Sequence, residues 1–122
     1  MKIKGKIIRN TDAGFNEAVM ETLFNKRPLD RKPFMLVKPE SVEDIIEIIK
    51  FARENGKKIS VFSGGHSWSA NHVRDDAVII DLGNFNRYEI NKDSMTATAE
   101  PAVGGSDLLI ELFKKDLFFP AG

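Results

Sequence analysis

The first part of the chain carries a hydrophobic pattern with the period of a helix. Within residues 12–24, Phe15, Val19 and Leu23 recur every four positions and fall on one face. Asp12 precedes them, and a short acidic side chain is favourable at a helix cap. The pattern therefore predicts an amphipathic helix that is capped by Asp12 and packs one side against a core.

A second helix is predicted over residues 41–56. Ser41 is a favourable N-cap, Asp44 follows three positions later in a capping-box arrangement, and Gly56 comes after the last turn. The apolar positions at helical spacing are Val42, Ile45, Ile46, Ile49 and Ala52. We expect these five side chains to form the buried face of the helix.

Short apolar segments on both sides of this helix predict strands. Residues 34–38, which end before Pro39, and residues 57–62 give the order strand, helix, strand. That order favours parallel pairing through a right-handed crossover. The strands predicted further along the chain are residues 77–82, 87–91 and 95–101.

The last predicted elements are a hairpin and a helix. Residues 91–94 have the composition of a turn, and Thr96 and Thr98 alternate with alanines as in a strand with one solvent-facing side. A C-terminal helix is expected to be capped by Ser106 or Asp107. The order of elements predicts an α+β, or mixed α/β, domain.

Composition narrows the classes of protein that fit. The chain has 122 residues, 42% of them hydrophobic, which suits one globular domain. Eighteen basic and eighteen acidic residues cancel, so nucleic acid is not an expected partner. The chain has no cysteine, which excludes disulfides and thiolate metal sites. His66 and His72, with Asp75 and Asp76 nearby, form no familiar ligand set, and both histidines are expected in surface loops.

The two ends of the chain differ in character. The N-terminus is too short and too charged for a signal sequence, and no apolar run approaches the ~20 residues of a membrane span, so we expect a cytoplasmic protein with no membrane partner. The C-terminus, LFFPAG, is apolar, which suggests a polypeptide cut from something longer. The exposed apolar residues of such a fragment would favour self-association, and they are Phe113, Leu117, Phe118 and Phe119.

The candidate chemistry lies in residues 60–71, SVFSGGHSWSAN. This loop follows the carboxyl end of a strand, where α/β folds place ligands. Gly64 and Gly65 would let several backbone N–H groups turn toward one point, a cradle that suits a phosphate. The hydroxyl groups that would add to it belong to Ser63, Ser67 and Ser69. A neutral imidazole at His66 could act as base or nucleophile, and a tight turn with a surface histidine is the alternative.

The surroundings of this loop resemble the FAD-linked oxidases of the berberine-bridge-enzyme type, in the wider vanillyl-alcohol-oxidase or PCMH-type superfamily. The resemblance rests on a Pro-x-Ser-x-x-Asp-Ile helix, the Gly-Gly-His-Ser loop, an Ile-Asp-Leu strand and a final Pro-Ala-Gly, in that order. It covers residues 34–122 and, more loosely, 13–28. It implies a PCMH-type FAD-binding subdomain with a small mixed β-sheet flanked by helices. Residues 1–122 would then be the N-terminal part of an FAD-binding domain, without its remainder or the substrate domain.

The resemblance also implies a cofactor and a site. In the family this loop wraps the FAD pyrophosphate, and Ser63, Gly64, Gly65 and Ser67 match its positions. His66 matches the histidine that is often bonded through a ring nitrogen to the 8α-methyl carbon of the flavin. The implied reaction is oxidation of an alcohol, sugar or related carbon centre of a small-molecule substrate, by hydride transfer to FAD in the full-length enzyme. No catalytic residue and no metal are expected within this chain.

Several alternatives remain open from the sequence. One is a non-covalent FAD-dependent dehydrogenase of the same superfamily, in which His66 only lines the pocket. Another is a binding module without a redox role. Trp68 either flanks the cofactor or packs in the protein, and Ala102 stands where many relatives carry glycine. A Rossmann dinucleotide domain is less favoured, because the chain lacks G-x-G-x-x-G between a first strand and its helix.

Overall fold

The computed structural model describes residues 1–120, so the last two residues of the Pro-Ala-Gly motif lie outside the described part. The chain divides into two units, Met1–Asn84 and Phe85–Gly122. The first contains β1 (Lys6–Arg9), α1 (Phe15–Glu21), β2 (Met35–Lys38), α2 (Val42–Glu54), β3 (Lys58–Phe62) and β4 (Ala77–Asp81). The second contains β5 (Tyr88–Asn91), β6 (Thr96–Ala99) and α3 (Gly105–Phe113). Within residues 1–120, no helix is long and apolar enough to cross a membrane.

A four-stranded sheet in the order β1-β2-β4-β3 forms the centre of the first unit. β2 and β3 both pair in parallel with β4, and β1 pairs antiparallel with β2. All five residues of β4 are buried, as expected of a central strand covered on both faces. The predicted mixed α/β fold with a small mixed sheet is therefore confirmed. Two details differ from the prediction. β4 lies between β2 and β3, so the two strands of the strand–helix–strand unit do not pair with each other. The short edge strand β1 was not predicted.

α1 packs on one face of this sheet, called here the α1 face. Phe15 and Val19 of the helix and Leu23 just after it are buried, as the periodicity predicts. They share a hydrophobic cluster with Leu36 of β2 and Ile79 of β4. Burial of these side chains is the main stabilising contribution that the helix makes.

The cap predicted for α1 is wrong. Gly14 is the N-cap, in the left-handed conformation with φ 84°, and no side chain caps the helix. The Asp12 carboxylate instead accepts a hydrogen bond from the backbone N–H of Arg9 at 2.8 Å. The aspartate therefore closes the turn between β1 and α1, which short acidic side chains also favour.

α2 covers the opposite face of the sheet, called here the α2 face. Ile48 and Ala52 of the helix are buried in one cluster with Val37 of β2 and with Val78 and Ile80 of β4. Neighbouring residues of each strand point to opposite faces, so Val37, Val78 and Ile80 alternate with the strand residues of the α1 face. The sheet is therefore covered on both sides.

The N-terminus of α2 is fixed as predicted, with one addition. The Ser41 hydroxyl oxygen accepts a hydrogen bond from the backbone N–H of Asp44 at 3.2 Å. The Asp44 carboxylate is buried and accepts hydrogen bonds from the backbone N–H groups of Glu40, Lys4 and Gly5, each at 2.9 Å. These bonds, the one from Glu40 first, lower the pKa of Asp44. The aspartate thus ties the N-terminal segment to the helix.

The predicted apolar face of α2 is largely wrong. Ala52 is buried, but Val42, Ile46 and Ile49 are exposed, and Ile48 takes the central place against the sheet. Isoleucine or valine occupies more than one side of this helix, so periodicity alone does not select the side that meets the sheet.

The second unit is an antiparallel hairpin followed by α3. β5 and β6 pair across the predicted turn, but all four residues of β6 are exposed, so the expectation of one covered side is wrong. Within the described residues β6 pairs only with β5, and a two-stranded ribbon lacks a second layer of its own. Gly104 is the N-cap of α3 and makes no side-chain bond, so neither Ser106 nor Asp107 caps it. Among the described residues of this unit, Leu112 is the one buried hydrophobic residue.

Candidate functional site: the glycine loop

The predicted loop, residues 63–67, leaves β3 at the carboxyl edge of the parallel strands. Phe62, the last residue of β3, pairs with Asp81 at the end of β4, so the loop begins where both strands end. Exposed in the loop are Gly64 and His66, and half-buried are Ser63, Gly65 and Ser67. The loop therefore lies at the edge of the sheet where α/β folds usually bind ligands.

The two glycines of the loop have different structural roles. Gly65 is left-handed, with φ 69°, and a Cβ built on it would lie 2.6 Å from the Phe62 ring and 2.7 Å from the Thr22 carbonyl oxygen. The chain's own packing therefore requires glycine at this position. A Cβ on Gly64 would have the His66 ring as its nearest neighbour, at an ordinary contact distance of 3.4 Å. Residues 1–120 do not require glycine at position 64.

Backbone donors of the loop are available to a ligand. The N–H groups of Gly64, Gly65, His66 and Ser67 donate to no acceptor within the described residues. Adjacent unpaired N–H groups in a tight turn form a concavity that binds anions. These four N–H groups are the donors of the loop that would hold an anionic group such as a diphosphate.

The Ser67 hydroxyl holds the far end of the loop. Its oxygen accepts a hydrogen bond from the Asn71 backbone N–H at 3.3 Å and lies 3.4 Å from the Ser69 hydroxyl. The Ser69 hydroxyl in turn donates to the Asn71 side-chain oxygen at 2.9 Å. Two of the three predicted hydroxyl donors are therefore used to shape the loop, and Ser63 is the third.

His66 stands beside an exposed aromatic pair. The rings of Phe24 and Trp68 meet edge to face with centroids 5.0 Å apart. Together with His66 they line an open cavity of about 350 Å³. Trp68 is 77% exposed, so most of its ring surface is available for contact with a flat ligand. A cavity of about 410 Å³ lies elsewhere, between α1 and residues 28–33, and none of the predicted site residues lines it.

His72 is not on the surface, contrary to the prediction. It is buried, with its ring 5.0 Å from that of Phe62 and its Nε2 2.8 Å from the Thr22 hydroxyl oxygen. The Ser60 hydroxyl donates to the His72 carbonyl oxygen at 2.6 Å. Burial first, and then the charge of Arg31, lowers the pKa of His72. His72 is therefore a neutral imidazole near pH 7.

The acidic residues around the loop have structural partners. The Asp75 carboxylate accepts a hydrogen bond from the Lys32 backbone N–H at 2.6 Å. Asp81 is buried and pairs with the Lys38 ammonium group at 3.2 Å. No group of three or more histidine, cysteine, aspartate or glutamate residues suited to a metal is found in residues 1–120. The described part of the chain therefore offers no such cluster as an alternative functional site to the glycine loop.

The fold and the loop together define a class of protein. Residues 33–122 match the family described as the FAD binding domain. The match includes β2, α2, β3 and the whole glycine loop. The chain belongs to this family.

Individual relatives give the same assignment. The chain is 34% identical over 106 residues to the FAD-linked oxidoreductase janO of Penicillium janthinellum, covering 87% of this chain and 24% of that protein. The crystal structure of 6-hydroxy-D-nicotine oxidase from Arthrobacter nicotinovorans superposes with a TM-score of 0.78 at 30% identity, covering 93% of this chain and 24% of that one. The structure of BBE-like 28 from Arabidopsis thaliana, at 21% identity, shares the fold with a TM-score of 0.82 over 95% of this chain and 25% of its own. The chain thus spans about a quarter of the length of these relatives.

The sequence did not point to the residues that support the loop. Phe24, Thr22 and Phe62 were each assigned to an element or to its end, with no role at the site. A polar residue in the middle of an apolar strand, Ser60, was the one signal of a hydrogen-bonded group on the inner face of β3. His72 carried no signal, because nothing in its polar surroundings predicts burial.

Proposed function

We propose that this chain is the first part of the FAD-binding domain of a longer FAD-linked oxidoreductase. In this proposal residues 63–67 hold the FAD diphosphate, and His66 bonds to the flavin. The intact enzyme oxidises an alcohol, sugar or related carbon centre of a small-molecule substrate, and bound FAD is the hydride acceptor. Family membership and the names of relatives about four times as long support this assignment. The substrate site and the catalytic base would lie outside this chain.

The observation that carries the proposal is the glycine loop. Its four consecutive N–H groups have no protein acceptor in the described chain, which suits a diphosphate. Gly64 is not required by the chain's own packing. The close approach of a ligand to the backbone explains why this position has no side chain.

Covalent attachment is the finer part of the proposal. His66 is exposed and lies next to the aromatic pair of Phe24 and Trp68, so a flavin ring against that pair would have the imidazole at its edge. An unprotonated ring nitrogen is the nucleophile that such a bond needs. The bond would replace one C–H bond of the 8α-methyl group and the N–H bond of the His66 imidazole by a C–N bond, with two protons released. The bound flavin would supply the oxidation, since it can pass the two electrons to oxygen or another electron acceptor.

The diphosphate cradle can be tested with two matched substitutions in the full-length protein. We expect Gly64→Ala to change the free energy of unfolding by less than about 0.5 kcal/mol, because its Cβ meets only the His66 ring. We expect it to weaken FAD binding at least about tenfold, because the proposal places the phosphate against the Gly64 backbone, where a Cβ would keep it away. Gly105→Ala, at the start of α3 with open space around it, should change neither quantity. Unaltered FAD affinity in Gly64→Ala would contradict the cradle.

The attachment point has a separate test. The wild-type full-length protein should show flavin fluorescence on a denaturing gel, and His66→Ala should show none. A fluorescent His66→Ala band would place the bond elsewhere. A wild-type protein that releases all its FAD on denaturation would favour the non-covalent dehydrogenase. A wild-type protein that never binds FAD would favour the alternative of a binding module without a redox role.

We also propose that the chain self-associates when it is separated from the rest of the protein. Several large apolar side chains of α3 and the segment after it are exposed, namely Ile110, Phe113, Phe118 and Phe119, whereas Leu117, which was also expected to be exposed, is half-buried. We expect sedimentation equilibrium to show oligomers that Phe113→Ser and Phe118→Ser each weaken. Met95→Ser removes an equally exposed apolar side chain from the hairpin turn and should have no effect. A wild-type chain that stays monomeric at high concentration would contradict this proposal.

A further inference from the structure

His72 is connected to the glycine loop through two side chains. Its ring packs at 5.0 Å from that of Phe62, and the Phe62 ring occupies the space in which a Cβ of Gly65 would lie. Its Nε2 bonds to the hydroxyl of Thr22, whose carbonyl oxygen bounds Gly65 on another side. The two residues that require glycine at position 65 are therefore both in contact with His72, one through its ring and the other through its hydroxyl group.

The hydrogen bonds of Thr22 select one form of the His72 ring. The Thr22 hydroxyl donates its single proton to the Val19 carbonyl oxygen at 2.6 Å. Its contact with His72 at 2.8 Å therefore requires that Nε2 donates and the Thr22 oxygen accepts. In the neutral ring this leaves the lone pair on Nδ1, so uptake of a proton occurs at Nδ1.

The charges around His72 oppose that proton. The Arg31 guanidinium donates hydrogen bonds to the carbonyl oxygens of Ser69, Ala70 and Val73 at 3.0 to 3.1 Å, which holds a cation beside the segment that carries His72. Among residues 1–120, the only carboxylate that raises the pKa of His72 is Asp81, and Lys38 pairs with it. Thr22, the C-cap of α1, and Ser60 of β3, the other polar groups in contact, are uncharged. A protonated ring is therefore destabilised where it is packed, and exposure to solvent would relieve this.

We propose that His72 is a positioning residue for the FAD loop, and that proton uptake by its ring releases Phe62 and Gly65 and weakens the grip of the loop on FAD. The inference rests on the proposed function of residues 63–67 as the diphosphate site. The neutral ring keeps the Phe62 side chain and the Thr22 carbonyl in the places that define the turn at Gly65. His72 acts through these neighbours and does not touch the cofactor.

The first test needs no FAD. In ¹H–¹⁵N spectra of this chain over a pH titration, the Gly65 amide resonance should move with the same midpoint as the His72 ring protons. His72→Gln keeps an N–H donor for Thr22 but cannot take up a proton in this range, so its Gly65 resonance should stay constant. A Gly65 amide resonance that does not shift while the His72 ring titrates in the wild-type chain would overturn the proposal.

The second test measures binding. In a His66→Ala background of the full-length protein, reversible FAD binding should weaken by about tenfold as the pH is lowered far enough below 6.5 to protonate His72, because the lowered pKa keeps the ring neutral above that value. Adding His72→Gln should keep the affinity measured at the higher pH and remove the pH dependence. If His72 only stabilised the fold, His72→Gln would lower the FAD affinity at every pH. FAD binding that is tight but independent of pH would overturn this inference alone, whereas no FAD binding by the wild-type protein would overturn the proposed function.

Discussion

The two faces of the four-stranded sheet are equally well buried but contain different residues. The hydrophobic cluster of the α2 face comprises Met35, Val37, Ile48, Ala52, Val78 and Ile80, and the buried polar side chain of α2 is that of Asp44 in its first turn. The α1 face also buries the polar side chains of Thr22, Ser60 and His72. No buried side-chain nitrogen or oxygen in residues 1–120 lacks a hydrogen-bond partner. The comparison indicates that the α2 face stabilises the sheet, whereas the α1 face uses part of its core to position the glycine loop.

The largest effect is expected on the α2 face. Ile48→Ala should lower the free energy of unfolding by about 3 kcal/mol, because the side chain is fully buried and its loss leaves a cavity. Urea denaturation of the chain measures this quantity. FAD affinity of the folded full-length variant should stay unchanged, and a parallel loss of affinity would erase the functional difference between the faces.

Gly65→Ala should have a smaller effect on stability and a larger one on function. The left-handed backbone and the contacts with Phe62 and Thr22 are expected to cost about 2 kcal/mol. The loop should lose its shape, so the full-length variant should retain little FAD after purification. Retention of FAD at the wild-type level would show that the loop tolerates a different turn, and the α1 face would then not be specialised.

The faces should also respond to different ranges of pH. The pKa of His72 is lowered from its ordinary value of 6.5, so the unfolded chain binds a proton that the folded chain resists, and stability is lost as pH falls below about 6.5. The pKa of Asp44 is lowered from 3.8, so its contribution is present above that value and is lost only as pH falls further. Denaturation curves across this range should show two separate losses, and His72→Gln should remove only the upper one. A single loss of stability, occurring only below pH 4, would contradict the difference between the two faces.

The smallest effect concerns the outer side of α2. Ile46→Ala should change the free energy of unfolding by less than about 0.5 kcal/mol, because Ile46 is exposed and alanine favours a helix. It is the matched control for Ile48→Ala on the same helix. A loss above 1 kcal/mol would mean that this side is covered in solution, for example by a second copy of the chain.

Much of the fold follows from local patterns. The cap at Ser41, the strands on either side of α2, the hairpin and the loop at residues 63–67 were all predicted, because each depends on residues close together in the chain. The wrong predictions concern the caps of α1 and α3, the buried face of α2, the covered side of β6 and the location of His72, and the edge strand β1 was missed. β1 is a four-residue edge strand, and at α1 and α3 a glycine took the N-cap position in place of the predicted side chains.

By itself, the sequence determined the order of elements, the apolar strands of a mixed sheet, and a glycine-histidine loop after the carboxyl end of β3. Only the tertiary structure decided which side of α2 meets the sheet, which glycine the packing requires and which histidine is buried. The physical reason is that periodicity and turn composition act between residues near in sequence, whereas burial depends on partners far away. Thr22 and His72 are hydrogen-bonded although they are 50 residues apart in the sequence, so no local sequence pattern predicts that contact.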